Sequence, residues 1–228
     1  LGRELGDRAR TDSPVEAVRP DGAELLVSTQ GEEIRARHVI MAAQAPHAAP
    51  LVAPVAERAA DALSRLTYGA FLSVAVETNE TTPMPYDHVY AIATPGRAFD
   101  MFTNQAHALR VGPRRPGGSL MLFAGGRAAE ALARETDDTI VERFLSDLHA
   151  LYPQTRGVVS LATVRRWELG NVYASPGRQR LKPTLGAHEN VHLAGDYFAE
   201  LGTMETAAQT GLAAAERVES RLREVTHV

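Results

Sequence analysis

The residues best suited to chemistry lie near the C-terminus, where a short apolar segment is followed by a helix. Val191–Gly195 (VHLAG) predicts a buried strand that leads directly into Asp196, and Gly202 precedes a helix predicted from Thr203 onward. A carboxylate, several free backbone amides and the positive end of a helix dipole would therefore meet at one point. Such a point suits a ligand that has both hydroxyl groups and an electron-rich end.

The predicted helix carries a stripe of mostly small side chains. Its members recur with helical spacing and are Met204, Ala207, Ala208, Gly211, Ala215, Val218 and Leu222. The small residues stand near the start of the helix, so this end can approach a sheet or a flat ligand closely. The alternative interpretation is that the strand, the carboxylate and the helix serve packing alone.

Other polar clusters lack the spacing that catalysis or metal binding requires. The two glycines at 125–126 do not have phosphate-loop spacing and predict an ordinary turn. His188 and His192 straddle a loop and a strand, so no metal site is predicted. Arg165 and Arg166 alternate sides of a strand, which favours a solvated charge or a salt bridge for them.

Composition and charge are typical of a globular protein that does not bind nucleic acid. The 228 residues are 44% hydrophobic and 23% charged, with a net charge of −4, which gives no basic field. Cysteine is absent, which excludes disulfides, thiolate nucleophiles and a cysteine-linked cofactor. No apolar run approaches the roughly 20 residues needed to cross a bilayer. No signal segment is recognised, so a cytoplasmic location is expected.

The N-terminal elements predict part of a layered α/β domain. The apolar run after His38 indicates a strand buried on both faces. Leu1–Gly6 reads as the end of a helix without an initiator Met, so further chain is expected before it. The predicted elements are strands at Val15–Val18, Glu24–Thr29 and Ile34–Ala43, a proline-rich break at Ala45–Pro54, and a helix at Val55–Leu66.

The middle of the chain predicts an antiparallel sheet backed by helices. A helix begins at Thr136, whose hydroxyl can cap it, and continues to Leu151. Irregular segments are expected at 110–118 and 168–189. Trp167, which ends the last strand, fits a core position and the wall of a substrate site equally well. The predicted strands are Tyr68–Glu77, His88–Thr94, Ala98–Thr103, Ser119–Ala124 and Val158–Trp167.

The C-terminal motif resembles that of the flavin amine oxidase superfamily, which also includes protoporphyrinogen oxidases and phytoene desaturases. The Gly-Asp-Tyr form is most similar to the desaturase branch. Val15 and the segment 39–46 resemble the strands beside the adenine and pyrophosphate, and Trp167 stands at about the family's distance before the motif. The matching residues are Ala194–Tyr197 (AGDY), Gly202–Glu205 (GTME), Ala207, Gly211 and 213–215.

The resemblance implies a non-covalently bound FAD. Asp196 would accept hydrogen bonds from the ribitol hydroxyls, and the amides of Thr203 and Met204 would face the N1 and C2 carbonyl edge of the flavin. Val15 would contact the adenine through its backbone, and two alanines would allow close approach of the cofactor. The implied cofactor-binding residues are Val15, Ala42, Ala43, Gly195, Asp196, Gly202, Thr203 and Met204. Catalytic residues stay unassigned.

The sequence departs from the family pattern at three points, which bear on the expected reaction and on the completeness of the FAD site. Ser73 stands where amine oxidases carry a lysine, which disfavours amine oxidation. Thr206 stands where the family often has glycine. The fingerprint G-x-G-x-x-G, which cradles the ADP half of the cofactor, is absent from the sequence. The chain is therefore expected to be the C-terminal part of such an enzyme, with the ADP-binding portion as its partner.

These observations predict a mixed α/β fold in two parts. Residues 1–50 and 188–228 are expected to complete a partial Rossmann-like FAD-binding domain, and residues 51–187 to form an antiparallel-sheet substrate domain flanked by helices. The predicted function is hydride removal from an organic substrate. A polyene substrate implies an apolar tunnel and loose membrane association, and a porphyrinogen or amine implies a wider or more polar cavity. The alternatives are a non-catalytic binding or scaffold module and one subunit of a split flavoenzyme.

We predict that the 228-residue chain by itself is colourless. Losing three or four hydrogen bonds to charged groups, at about 1.5 kcal/mol each, weakens FAD binding by roughly a thousandfold or more. Exposed apolar strand edges would also favour homo-oligomers. The measurement is the visible flavin absorbance of the chain after gel filtration with FAD. Stoichiometric flavin on a monomer would contradict the prediction.

Overall fold

A computed structural model describes residues 2–109, 113, 115–185 and 188–226. The chain divides into two compact units, Leu1–Thr67 with Val172–Val228, and Tyr68–Asn171. Each combines helices with strands, and antiparallel sheets occur in both, so the predicted mixed fold class is confirmed. Residues 51–67 and 172–187, predicted to belong to the substrate domain, fall in the first unit. The functional assignment of the two units stays a prediction.

The elements are numbered in chain order. The strands are β1 (Val15–Asp21), β2 (Glu24–Thr29), β3 (Glu32–Ala36), β4 (Val39–Met41), β5 (Tyr68–Thr78), β6 (Ala91–Ala93), β7 (Met101–Asn104), β8 (Gly118–Gly125), β9 (Val159–Val172) and β10 (Val191–Leu193). The helices are α1 (Gly2–Leu5), α2 (Ala45–Val52), α3 (Glu57–Ser64), α4 (Gln105–Leu109), α5 (Gly126–Leu132), α6 (Asp137–Leu151), α7 (Lys182–Leu185) and α8 (Met204–Thr226). No helix in the described part of the chain combines the length and apolar character that crossing a membrane requires.

The first sheet of the first unit is an antiparallel meander of β1, β2 and β3. Tight turns at Gly22 and Gly31, both with positive φ, connect the strands. The predicted bounds of β2 are confirmed. Pro20 lies inside β1 and not in the predicted turn, because β1 is an edge strand and its missing amide breaks no ladder.

The prediction of one strand over Ile34–Ala43 is wrong. The chain leaves the first sheet after β3, and β4 pairs in parallel with β10 in a separate two-stranded sheet. Met41 is buried but Ile40 is 42% exposed, so β4 is not buried on both faces. A continuous apolar run does not reveal that its two halves pair with different partners.

The proline-rich segment Ala45–Pro54 also differs from its prediction, because most of it forms helix α2. Pro46 lies in the first turn, where a backbone amide has no intrahelical acceptor to lose. Pro50 falls near the helix end, where it removes one hydrogen bond. Burial of Ala48 and Val52 offsets this loss. Helix α3 confirms the helix predicted within Val55–Leu66.

The second unit contains a five-stranded sheet in the order β6-β7-β8-β5-β9, and α5 and α6 pack against the apolar face of β5 and β8. Strands β5 and β8 pair antiparallel from Phe71 opposite Gly125 to Thr78 opposite Gly118. Alternate residues of the strands face the apolar core, which α6 completes. The core includes Leu72, Val74, Val76, Phe102, Leu120, Leu122, Ile140, Phe144 and Leu148.

The helix starts in the second unit agree with the sequence-based prediction at Thr136 and differ from it at Gly126. Thr136 caps α6 as predicted, since its hydroxyl accepts the Thr139 amide at 3.2 Å. The turn predicted at 125–126 instead begins α5, with Gly126 at a φ of 54°. Strand β9 extends to Val172, past the predicted start of the irregular segment. Residues 110–112 and 114 of the predicted 110–118 loop lie outside the described residues.

Replacing Thr136 with alanine should destabilise the second unit by about 1 kcal/mol, because the Thr139 amide loses its acceptor. The matched control is Thr136→Ser, which keeps the hydroxyl and should lie close to the wild type. The urea midpoint reports both changes. Equal losses in the two variants would show that the cap contributes nothing.

Candidate functional site

The candidate site lies in the first unit, where β10 leads into α8. Strand β10 runs parallel to β4, with Leu193 opposite Met41. The Ala194 amide donates to the Met41 carbonyl at 3.0 Å and extends the pairing by one residue. Ala42, Ala43 and Gly195 therefore leave the sheet at the same carboxyl edge, where ligands of α/β sheets bind.

The side chain of Asp196 stands in close contact with Gly202. A β-carbon at position 202 would lie 2.4 Å from Oδ2 of Asp196 and 3.2 Å from Cγ1 of Val172. Only glycine therefore leaves the carboxylate where it is. Asp196 is partly buried, and its carboxylate has no hydrogen-bond partner among the described residues, so both oxygens can accept from a ligand.

Helix α8 begins immediately after this contact. The Thr203 hydroxyl caps the helix by accepting the Thr206 amide at 3.2 Å, and no described residue accepts the amides of Met204 and Glu205. The Met204 side chain is 91% exposed. Free amides at the positive end of a 23-residue helix can bind an electron-rich group.

Gly195 is held in place by a side chain of the same helix. Its amide donates to the Thr210 hydroxyl at 3.0 Å, and a β-carbon at position 195 would lie 2.3 Å from the Tyr197 ring. Tyr197 is buried, and its hydroxyl donates to the Ala194 carbonyl at 3.1 Å. The turn around Asp196 is thus fixed from both sides.

Arg178 is the positioning residue that sequence reasoning missed. It is 6% exposed, and its guanidinium donates to the carbonyls of Tyr197 at 2.7 Å, Glu200 at 3.2 Å and Ala199. It thereby holds the connection between β10 and α8. The sequence contains no signal for this role, because the acceptors lie about twenty residues away in an irregular segment.

The predicted stripe on α8 is only partly correct. Ala207, Val218 and Leu222 are partly buried, but Met204, Ala208 and Ala215 are exposed. Among the residues of α8 whose burial is described, Ala214 is fully buried. Thr210 belongs to the inner face because its hydroxyl binds Gly195, and a stripe chosen by apolarity alone omits such a residue.

A histidine pair lies close to the site, with His192 on β10 and His38 immediately before β4. Nε2 of His192 is 3.3 Å from Nδ1 of His38, and His192 is 5% exposed. Burial lowers the pKa of His192 to about 4, and the positive charges of the neighbouring His38, Arg217 and Arg221 add to the effect. Burial and Arg221 also lower the pKa of His38. The pair is therefore neutral at pH 7.

Trp167 belongs to the second unit and is 55% exposed, which excludes the core interpretation. With Tyr68 and Phe71 it lines a pocket of about 470 Å³. Arg166 forms the predicted salt bridge, with Asp137, and also donates to backbone carbonyls after α5. The role of Trp167 toward a substrate stays a prediction.

The remaining predictions concern the adenine contact of Val15 and possible metal ligands. Val15 is the first residue of β1 and is 40% exposed, in a different sheet from β10, the strand that leads to Asp196. Its contact with the adenine stays a prediction. Within the described residues, no group of three or more His, Cys, Asp or Glu side chains could hold a metal ion.

Comparison with known proteins identifies the family. The sequence profile of the flavin containing amine oxidoreductases matches residues 1–219. No curated protein sequence matches the chain. Cyclohexylamine oxidase from Brevibacterium oxydans is similar in structure, with a TM-score of 0.76 and 20% identity over 96% of this chain and 51% of its own.

Two further solved structures share the fold. A putrescine oxidase variant has a TM-score of 0.73 and 15% identity over 96% of this chain and 51% of its own. A protein named as a protoporphyrinogen oxidase, from an Exiguobacterium species, has a TM-score of 0.69 and 16% identity over 91% and 47%. At such identities the likeness shows the fold alone. The chain spans about half the length of each of these structures.

The histidine pair predicts an acid-sensitive first unit. The pKa of His192 is about 4 in the folded protein and 6.5 in an unfolded chain. The folded state therefore keeps its full free energy of unfolding above pH 6.5, and loses on the order of 3 kcal/mol of it as the pH falls toward 4 and the buried ring must be protonated. His192→Gln should flatten this loss in urea unfolding at a series of pH values. His47→Gln, at an exposed histidine, is the control. Parallel pH profiles of wild type and His192→Gln would contradict the assignment.

Proposed function

Because the chain belongs to the flavin containing amine oxidoreductase family, we propose that it forms the part of an FAD site that meets the flavin and ribitol. The carrying observation is the Asp196 carboxylate, which is partnerless among the described residues and is pressed against Gly202. It stands beside the free amides of α8. A carboxylate acceptor, amide donors and a positive dipole match the ribitol hydroxyls and the electron-rich edge of a flavin.

Exposed apolar side chains border the same region and suit the flat faces of the flavin. Tyr173 is 62% exposed and follows Val172, the residue that Gly202 approaches. Leu201 and Met204 are 74% and 91% exposed. Large apolar side chains exposed beside a polar site are typical of ligand-binding surfaces. They support a ring system as the ligand of this surface.

We assign hydride removal from an organic substrate as the reaction. The bound FAD would supply the acceptor for the hydride, and the protein's residues position it. Asp196 would hold the ribitol, and the amides of Thr203 and Met204, together with that of Glu205, would stabilise negative charge at the reduced ring. This chain has no cysteine that could form a covalent link to the cofactor, which supports non-covalent binding.

The serine at position 73 bears on the substrate. Ser73 is 7% exposed on β5, where the family resemblance places a lysine in amine oxidases. This favours a substrate other than an amine. Anaerobic addition of amines, porphyrinogens or polyenes to the flavin-loaded protein tests this, since only a substrate bleaches the oxidised flavin absorbance. Bleaching by amines alone would contradict it.

The cofactor assignment predicts that Gly202→Ala weakens FAD binding to the protein expressed from its complete reading frame. The added carbon displaces the Asp196 carboxylate, and losing a charged hydrogen bond of about 1.5 to 3 kcal/mol weakens binding about tenfold to a hundredfold. Asp196→Asn should act in the same direction. Flavin absorbance in a titration measures the affinity.

Gly69→Ala is the matched control for this experiment, because Gly69 lies on β5 and outside the C-terminal motif. A β-carbon at position 69 meets no atom of the described residues nearer than the Asn171 carbonyl oxygen at 4.0 Å, and alanine loses less conformational entropy than glycine in a strand. This variant should bind FAD like the wild type. If Gly202→Ala and Gly69→Ala retain flavin equally, the Asp196 site is not the cofactor site.

A further inference from the structure

A pocket of about 580 Å³ lies in the first unit beside the connection that Arg178 holds. The turn at Gly177, with a φ of 82°, directs the following residues around the pocket. We call this the cationic pocket, and the side chains that give it its character are Ser175, Arg178, Gln179, Arg180, Lys182 and Glu200.

The charges around the cationic pocket do not balance. It is lined by three basic side chains and one carboxylate, an excess of two positive charges (3 − 1 = 2). Arg180 and Lys182 have no ion-pair partner among the described residues. Glu200 accepts a hydrogen bond from Gln179, which occupies one of its oxygens. The pocket therefore presents an uncompensated positive potential.

Arg178 contributes a charge that cannot move or titrate away. Its Nη atoms are held by backbone carbonyls, and an arginine stays protonated in proteins. Its buried Nε has no hydrogen-bond partner among the described residues. A buried donor without an acceptor is costly, and an anionic oxygen in the pocket would lower the cost of burying this charge.

The volume decides what kind of anion fits. Sites for small organic molecules have volumes of about 300 to 1,000 Å³, and the cationic pocket lies within this range. An inorganic ion would leave most of the space empty. Ser175 and Gln179 add polar groups for the remainder of a ligand. The geometry therefore suits an organic molecule that carries a carboxylate or phosphate.

Ala199 and Glu200 line the pocket, and they follow Asp196 closely in the chain. We propose that the cationic pocket binds the anionic group of the organic substrate of this flavoenzyme. The inference rests on the proposed function and deepens it, since it names an organic anion as the substrate class. Arg180 and Lys182 are its specificity-determining residues.

The test uses the FAD-loaded protein expressed from its complete reading frame, with benzoate as the probe and benzamide as its neutral isostere. At constant ionic strength, calorimetry should show saturable binding of benzoate and at least tenfold weaker binding of benzamide. Benzoate should also perturb the visible spectrum of the bound flavin. Inorganic phosphate distinguishes a site for phosphate esters from one for carboxylates, since only the first binds it more tightly than benzoate.

Paired variants assign the binding to the pocket. Arg180→Gln with Lys182→Gln should weaken benzoate binding on the order of tenfold while the stoichiometry of FAD stays unchanged. Arg58→Gln removes one positive charge from an exposed position of α3 in the same unit and should change nothing. Equal binding of benzoate and benzamide, an unaffected double variant, or binding of benzoate only when FAD is absent would overturn the proposal.

These experiments distinguish a failure of the cationic-pocket proposal from a failure of the proposed FAD site at Asp196. If Gly202→Ala retains full flavin affinity, the Asp196 site is wrong whatever benzoate does. If flavin binds as proposed and benzoate fails, the cationic pocket alone is rejected. Benzoate binding that leaves the flavin spectrum unchanged would reject its identity as a substrate subsite.

Discussion

The candidate site depends on the parallel pairing of β4 with β10, strands from opposite ends of the sequence. Three aligned residue pairs and the Ala194 to Met41 hydrogen bond set the register. This register brings Ala42 and Ala43 to the edge at which Gly195 and Asp196 leave the sheet. A shift by one residue would turn the side chains to the opposite face. Every contact around Asp196 is built outward from that edge.

The site also requires glycine at two positions, where the backbone lies directly against a neighbouring side chain. Gly195 lies against the ring of Tyr197, and Gly202 lies against the carboxylate of Asp196. In the second unit, a β-carbon at Gly170 would lie 2.3 Å from the β-carbon of Phe71, so β9 can pass β5 only with glycine there. Glycine has no side chain to pack, but at these positions it permits contacts that no other residue allows.

The first unit handles buried cationic groups in two ways. Arg178 remains charged, and backbone carbonyls of the connection it stabilises compensate the loss of water. Burial lowers the pKa of His192, and the nearby Arg217 and Arg221 lower it further, so its neutral form is favoured. Strand β10 therefore contains an uncharged buried histidine, and the connection between β10 and α8 is held by a permanently charged arginine.

The sequence by itself determined the features whose causes are local. The cap at Thr136, the meander strand β2, the strand β5 and the start of α8 depend on a few neighbouring residues, and the C-terminal motif was sufficient to indicate the family. Tertiary structure decided the rest. Ile34–Ala43 divides because its two halves pair with different strands. Most of Ala45–Pro54 is helical because alanines of this segment are buried. Ala214 is buried because it lies one turn after Thr210, on the face of α8 that contacts Gly195. Arg178 acquires its role only when residues about twenty positions away fold onto it, because hydrogen bonds between distant segments leave no periodic pattern in the sequence.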